Sequence, residues 1–175
     1  MEYYVGVPLP QPLDYYIHVV RRTWGCRNKS DPHLTLMVPR SLLPNRTERE
    51  LTTALAGIAA QPLVFEVSIN GFGVFEEIGN LHLVVDRSDQ LVACCKAIDH
   101  AVEGILAPSA SKYAHIPSPH ITVLDRLPQK DLALALAQLG PYKFGPTHLQ
   151  CSTLHLFKDG NSTIGWQIAQ TIRLS

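Results

Sequence analysis

Two short stretches hold the residues best suited to chemistry: DPHLTLMV at 31–38 and SPHITVLD at 118–125. Each sets a histidine directly after a proline, with an aliphatic residue next, a threonine two places on and another aliphatic residue after it. With eight histidines and ten threonines in 175 residues, chance supplies about half of one His-x-Thr. Two copies with matched flanks, and no third, call for a common cause. Side chains alternate along a strand, so His33 and Thr35 share one face while Leu34 and Leu36 take the other. The same holds for His120 and Thr122 against Ile121 and Val123. If the two polar faces converge, two imidazoles and two hydroxyls meet a single ligand.

That set suits attack at phosphorus in a phosphodiester whose leaving group is a sugar oxygen. The nucleophile must lose a proton while the departing oxygen, on the opposite side of phosphorus, gains one, so two proton-transfer groups are needed. An ordinary imidazole pKa of about 6.5 lets one copy act neutral and the other charged near pH 7. The hydroxyls of Thr35 and Thr122 can donate to the non-bridging oxygens, fixing the pose and stabilising the growing charge. No metal and no cofactor is expected. A metal site using the two histidines with Asp31 or Asp125 leaves the threonines without a role. Two core histidines with structural threonines leave the matched flanks unexplained.

The elements that must position these residues follow from periodicity. EYYVGV reads as a strand ending at the Pro8 and Pro10 breakers, followed by a helix over 12–24 and the first motif strand. TERE at 47–50 has the form of a capping box, which starts a helix over 48–59. PLVFEVSI, GFGVFEE and NLHLVVD read as three strands separated by NG and GN turns. Leu91, Cys95, Ile98, Val102 and Ile105 mark one buried face of a helix over 88–106. The second motif strand comes next, then a helix over 129–139 and strands near 142–150, 152–158 and 164–173. The order strand, helix, motif strand, helix, strand thus occurs twice. The letters echo it, since GFGVF at 71–75 stands to its motif as TLHLF at 153–157 stands to the other. The expectation is one domain over 1–175 with repeat halves of roughly 1–79 and 80–175 and interleaved strands. Residues 107–119 read as a mobile loop beside the second motif.

The paired motifs HLTL at 33–36 and HITV at 120–123, on a doubled α+β order spanning the chain, resemble the two-histidine (2H) phosphoesterase superfamily. Its branches include the 2′-5′ RNA ligase-like proteins and the cyclic nucleotide phosphodiesterases. The resemblance implies an α+β, bilobal fold: two pseudo-twofold-related lobes of antiparallel sheet, helices outside and a central cleft between the motifs. It further implies metal-independent opening of 2′,3′-cyclic phosphates on RNA ends or nucleotides, in many members to a 2′-phosphate. Carried over by motif, His33 and His120 are the acid/base pair and Thr35 and Thr122 the phosphate ligands, with His120 as base and His33 as acid in hydrolysis. Running the same site backward, with a 2′-hydroxyl as nucleophile, gives a 2′-5′ RNA ligase. A binding module that holds RNA ends or nucleotides without turnover is the reading from another class.

Further candidate substrate contacts are Arg126, just past the second motif, and His115 and Tyr113 in the loop before it. Trp24, Phe72, Tyr113 and Phe157 are the aromatic candidates for stacking a base. Residues 21–49 hold Arg21, Arg22, Arg27, Lys29, Arg40, Arg46 and Arg49, a band that can guide an RNA end if it is not simply solvated charge. Fifteen basic residues balance fifteen acidic ones, so any nucleic acid must be held locally. Cys26, Cys94, Cys95 and Cys151 form no CxxC pair, which disfavours a zinc ribbon or a redox motif and fits reduced thiols in a cytoplasmic protein. No segment approaches the ~20 apolar residues of a membrane span. The expected partner is an RNA terminus or a cyclic nucleotide, bound by a monomer with no membrane association.

Overall fold

A computed structural model describes residues 1–26, 30–61, 63–109, 119–142, 147–160 and 165–175. Within them lie β1 (Glu2–Pro8), α1 (Leu13–Thr23), β2 (His33–Ser41), α2 (Glu48–Ala56), β3 (Phe65–Phe75), β4 (Asn80–Val85), α3 (Asp89–Val102), β5 (His120–Leu124), α4 (Gln129–Leu139), β6 (His148–Cys151), β7 (Thr153–Asp159) and β8 (Trp166–Arg173). Local chemistry starts several of these where expected. The Thr47 hydroxyl accepts from the Glu50 N–H while the Glu50 carboxylate accepts from the Thr47 N–H, closing the capping box of α2. Ser88 caps α3 in the same way through the Leu91 N–H.

The strands form one antiparallel sheet in the order β6-β3-β4-β5-β2-β1-β7-β8, so the two motif strands are neighbours at its centre. One lobe extends from β5 through β4 and β3 to β6, the other from β2 through β1 and β7 to β8. The seam between them is thin. β2 and β5 pair through Leu34 and Ile121 alone, whereas β1 meets β2 over six residue pairs. Leu34, Ile121 and Val123 are fully buried in a core that runs through both lobes, shared with Ile17, Leu51, Ile98 and Leu132 from the four helices. Among the described residues no helix is long and apolar enough to cross a membrane.

The structure departs from the local signals in three places. The NG pair at 70–71, expected to be a hairpin turn, lies inside the single strand β3. Gly71 takes a left-handed φ of 85° there, and between Ile69 and Phe72 the register gains one residue on β3, a bulge. This extra residue inverts the alternation, turning Phe72 and Val74 toward the core and Gly73 and Phe75 to the opposite face. The helix expected over 48–59 ends at Ala56 and tightens into a 3₁₀ turn over Gly57–Ala60. The helix expected over 88–106 stops at Val102, because Leu106 leaves it to bridge Leu42 beyond β2. Its buried stripe runs through Cys94 rather than Cys95, which is only half-buried. The loop expected over 107–119 lies mostly outside the described residues.

Between β3 and β4, Gly79 adopts a left-handed φ of 64°, and its carbonyl accepts from the Leu127 N–H just past the second motif. A Cβ at this position would run into the Leu127 backbone. Gly79→Ala is therefore expected to cost roughly 2 to 3 kcal/mol. Urea unfolding measures this, and a change within about 0.5 kcal/mol, ordinary for a surface site, would contradict it.

Candidate active site

The Leu34–Ile121 pair sets the geometry of the motifs. In an antiparallel ladder their neighbours run past each other, which sets Thr122 beside His33 and Thr35 beside His120. Each histidine therefore lies on the same face as the other motif's threonine, one residue to either side of the bridge. All four side chains line one cavity of about 890 Å³, together with Tyr4, Arg21, Trp24, Asn80, Arg126 and Trp166. The two polar faces inferred from alternation do converge.

His33 sits in an aromatic seat. Its ring stacks on Tyr4 with centroids 4.8 Å apart and leans on Phe157 at 5.5 Å, and Tyr4 in turn stacks on Phe157 at 4.5 Å. Gly6, opposite Thr35 on β1, leaves room for that ring, since a Cβ there would come within 2.9 Å of His33 Cδ2. His33 Nδ1 lies 2.7 Å from the Asp31 carbonyl oxygen, which can only accept, so Nδ1 carries the proton and Nε2 a lone pair. Although one edge of the ring reaches the cavity, the packing around it removes water. That loss pulls the pKa down to about 4. The Asp31 carbonyl opposes the fall, and the positive charges of Arg21 and His120 reinforce it.

His120 rests against a different wall. The edge of its ring meets Phe75 at 5.0 Å, and His82 lies at 5.0 Å with its plane tilted by 57°. His82 is buried and stacks on Phe75 at 4.1 Å. Burial first, and then the neighbouring His120, lower the His82 pKa to about 4. Its Nδ1 is 3.0 Å from Asn80 Oδ1, and Asn80 Nδ2 donates to Thr122 Oγ1 at 3.2 Å. The bulge in β3 supplies both Phe75 and the space beside His82, where a Cβ on Gly73 would touch its Nε2.

Arg21 corrects the expected basic band. It is only 5% exposed and donates to the carbonyl oxygens of Val123 at 3.1 Å, Thr122 at 2.8 Å and Ser30 at 2.8 Å. It thus ties α1 to the motif strand β5. Arg40 bonds Asp99 at 2.7 Å, Arg46 bonds Glu50 at 3.0 Å, and Arg27 and Lys29 lie outside the described residues. Arg22, Arg46 and Arg49 of the band are exposed, so it is Arg21 that is withdrawn from it. Arg126 lies at the cavity rim with a left-handed φ of 58°, its side chain 91% exposed and 3.7 Å from Asp125. Of the aromatic candidates, Trp24 lines the cavity, Phe157 is buried behind His33, and Phe72 is half-buried and packs against the core. Tyr113 and His115 lie outside the described residues.

Sequence reasoning passed over Asn80, His82 and Trp166. The first two had a signal, because NLHLVV repeats the alternation of the motif strands, polar at 80 and 82 and aliphatic between. Arg21 had one as well, on the helical stripe formed by Leu13, Ile17 and Val20.

The model of the 2′-5′ RNA ligase superfamily matches residues 10–163. The chain belongs to that superfamily. No curated protein sequence matches significantly. Among solved structures, similarity extends over whole chains. A Thermus thermophilus protein aligns with a TM-score of 0.66 at 15% identity, covering 99% of this chain and 98% of that one. E. coli LigT complexed with 3′-AMP aligns with a TM-score of 0.63 at 12% identity over 99% and 98%. Kluyveromyces marxianus Usb1 aligns with 0.56 at 17% over 99% and 98%. At these identities the likeness is one of fold, and it is the two-lobed 2H phosphoesterase fold.

The lowered pKa values of His33 and His82 predict that the fold loses stability in acid. A histidine whose folded pKa is depressed binds fewer protons folded than unfolded, so its stability is intact above pH 6.5 and lost as pH falls toward 4. For His82 alone this is on the order of 3 kcal/mol, from about 1.4 kcal/mol per pKa unit. Urea unfolding at pH 7 and pH 4.5 is expected to show the loss, and His82→Asn to lessen it. An unchanged slope in that variant would contradict the assignment.

Proposed function

We propose that this protein is a metal-independent phosphodiesterase that opens 2′,3′-cyclic phosphates of RNA ends or nucleotides. The observation that carries the reading is that both motif histidines and both motif threonines line one cavity, on strands bridged between them by Leu34 and Ile121. Water attacks phosphorus as its proton passes to one imidazole. The bond from phosphorus to a ribose oxygen breaks on the far side, and that oxygen takes a proton from the other imidazole. Thr35 and Thr122 hold the non-bridging oxygens. Support comes from E. coli LigT, a protein of this fold that has been solved in complex with 3′-AMP and with phosphate.

The environments of the two histidines favour an order opposite to the one the family resemblance implies. Burial withholds the proton from His33, whose Nε2 lone pair is ready to accept one. We assign His33 as the base and His120 as the acid. The same reading takes residues 1–79 and 80–175 as halves of one duplicated domain. It is supported by β3 pairing with β4 and β6, and β7 with β1.

Assays on 2′,3′-cyclic nucleotides in excess EDTA test the reaction. His33→Ala and His120→Ala are each expected to lose about 10²–10⁴ in rate. Activity abolished by chelation, or surviving both changes, sinks the reading. A cyclic analogue with sulfur in the leaving position needs no acid, so it should restore turnover to His120→Ala and not to His33→Ala. The opposite pattern reverses the roles.

The superfamily match favours one second reading, a 2′-5′ RNA ligase using the same site. Incubation with tRNA halves separates the two, since a joined product appears only if a 2′-hydroxyl replaces water as nucleophile.

A further inference from the structure

The two threonines of the site do not have equivalent surroundings. Thr35 faces Gly6 across the β1–β2 ladder, whereas Thr122 faces His82 across the β4–β5 ladder. Behind Thr122 stands an oriented chain: His82 Nδ1 to Asn80 Oδ1 at 3.0 Å, then Asn80 Nδ2 to Thr122 Oγ1 at 3.2 Å. Asn80 and His82 are both buried, at 3% and 4% exposure, so water does not readily replace either link. From these contacts we infer that His82 and Asn80 are positioning residues that make Thr122 a one-way donor into the cleft.

The argument is one of hydrogen-bond direction. An amide has a donor end and an acceptor end, and whatever fixes one end fixes the other. A neutral His82 protonated at Nδ1 presents N–H to Asn80, which must turn its oxygen toward the ring and its NH₂ toward Thr122. The Thr122 hydroxyl then accepts from Asn80, and its single proton is left to point into the cavity, where a non-bridging phosphate oxygen would lie. Were the amide reversed, Thr122 would donate to Asn80 and offer the phosphate only lone pairs, which repel it. Stacking on Phe75 holds His82 in the plane that this contact requires. Arg21, bonded to the Thr122 carbonyl, holds the backbone from which the hydroxyl projects. This inference rests on the phosphodiesterase reading for its consequence, though not for its geometry.

Three measurements test it. Long-range ¹H–¹⁵N correlation spectra of the histidine side chains in the unliganded protein report the tautomer directly. His82 protonated at Nδ1 is the expected result. An Nε2–H tautomer would mean the chain runs the other way and would overturn the proposal, whatever the protein does catalytically. The second is a cycle of Asn80→Ala and Thr122→Ala, read as kcat/KM on a 2′,3′-cyclic nucleotide. Asn80→Ala should cost roughly tenfold in the parent and almost nothing further when Thr122 is already alanine. Losses that multiply would show that Asn80 acts elsewhere. His82→Asn, which keeps a donor near the Nδ1 position, should recover most of what His82→Leu loses; equal losses count against the relay. A parent protein with no turnover would end the phosphodiesterase reading, while the tautomer spectrum would still decide the relay.

Discussion

A single bridged pair, Leu34 with Ile121, joins the two lobes at the centre of the sheet, and the candidate site is built around it. Because both residues are fully buried, the strands that carry them cannot slide without exposing core. Their sequence neighbours on either side are therefore held on the opposite face, where the cavity lies. The narrowness of the seam matters as much as its register. A longer ladder would place more backbone between the lobes where Arg21 now takes the Thr122 and Val123 carbonyls. The bridged pair sets the register of the motifs within the shared core, and one buried cation helps hold the second motif strand to α1.

The lobes are alike in plan and unlike in chemistry. On both sides a phenylalanine two residues beyond a small or polar position backs the motif histidine: Phe157 after His155, and Phe75 after Gly73. In one lobe the glycine is on β1 and the histidine on β7, paired as Gly6 and His155; in the other the glycine is on β3 and the histidine on β4, paired as Gly73 and His82. The imidazole thus stands on the strand next to the motif in one lobe, where it is buried as His82, and one strand further out in the other, where His155 is half-buried. His33 is left in an aromatic stack that disfavours charge, while His120 adjoins a hydrogen-bonded polar chain. Two similar motifs in unequal surroundings can share the two proton-transfer roles without competing for them.

How legible this was in the letters depended on the range of the interaction that decides each feature. The capping box of α2, the helix over 129–139 and the alternation in both motifs are set within a few residues, and each was readable. The fate of Asn70–Gly71 was not. A hairpin turn and a bulge use the same residue types, and only the partner strand β4 distinguishes them by demanding that Phe72 face the core. Arg21 was misread as surface charge for a similar reason, since its three carbonyl acceptors come from residues as distant as Val123. His82 lay in a visible alternation but carried no second copy to single it out. The repeated motif that exposed the histidine pair could not reveal residues that occur without a second copy.

The claim beneath all of this is that one phosphate is met at once by residues 33, 35, 120 and 122. A crystal structure with a nucleoside 2′-monophosphate, the expected product, tests it most directly. The account requires phosphate oxygens within hydrogen-bond reach of both imidazoles and both hydroxyls, with the ribose oxygen next to His120. A phosphate seated on the exposed Arg126 or elsewhere, touching one motif and not the other, would contradict it.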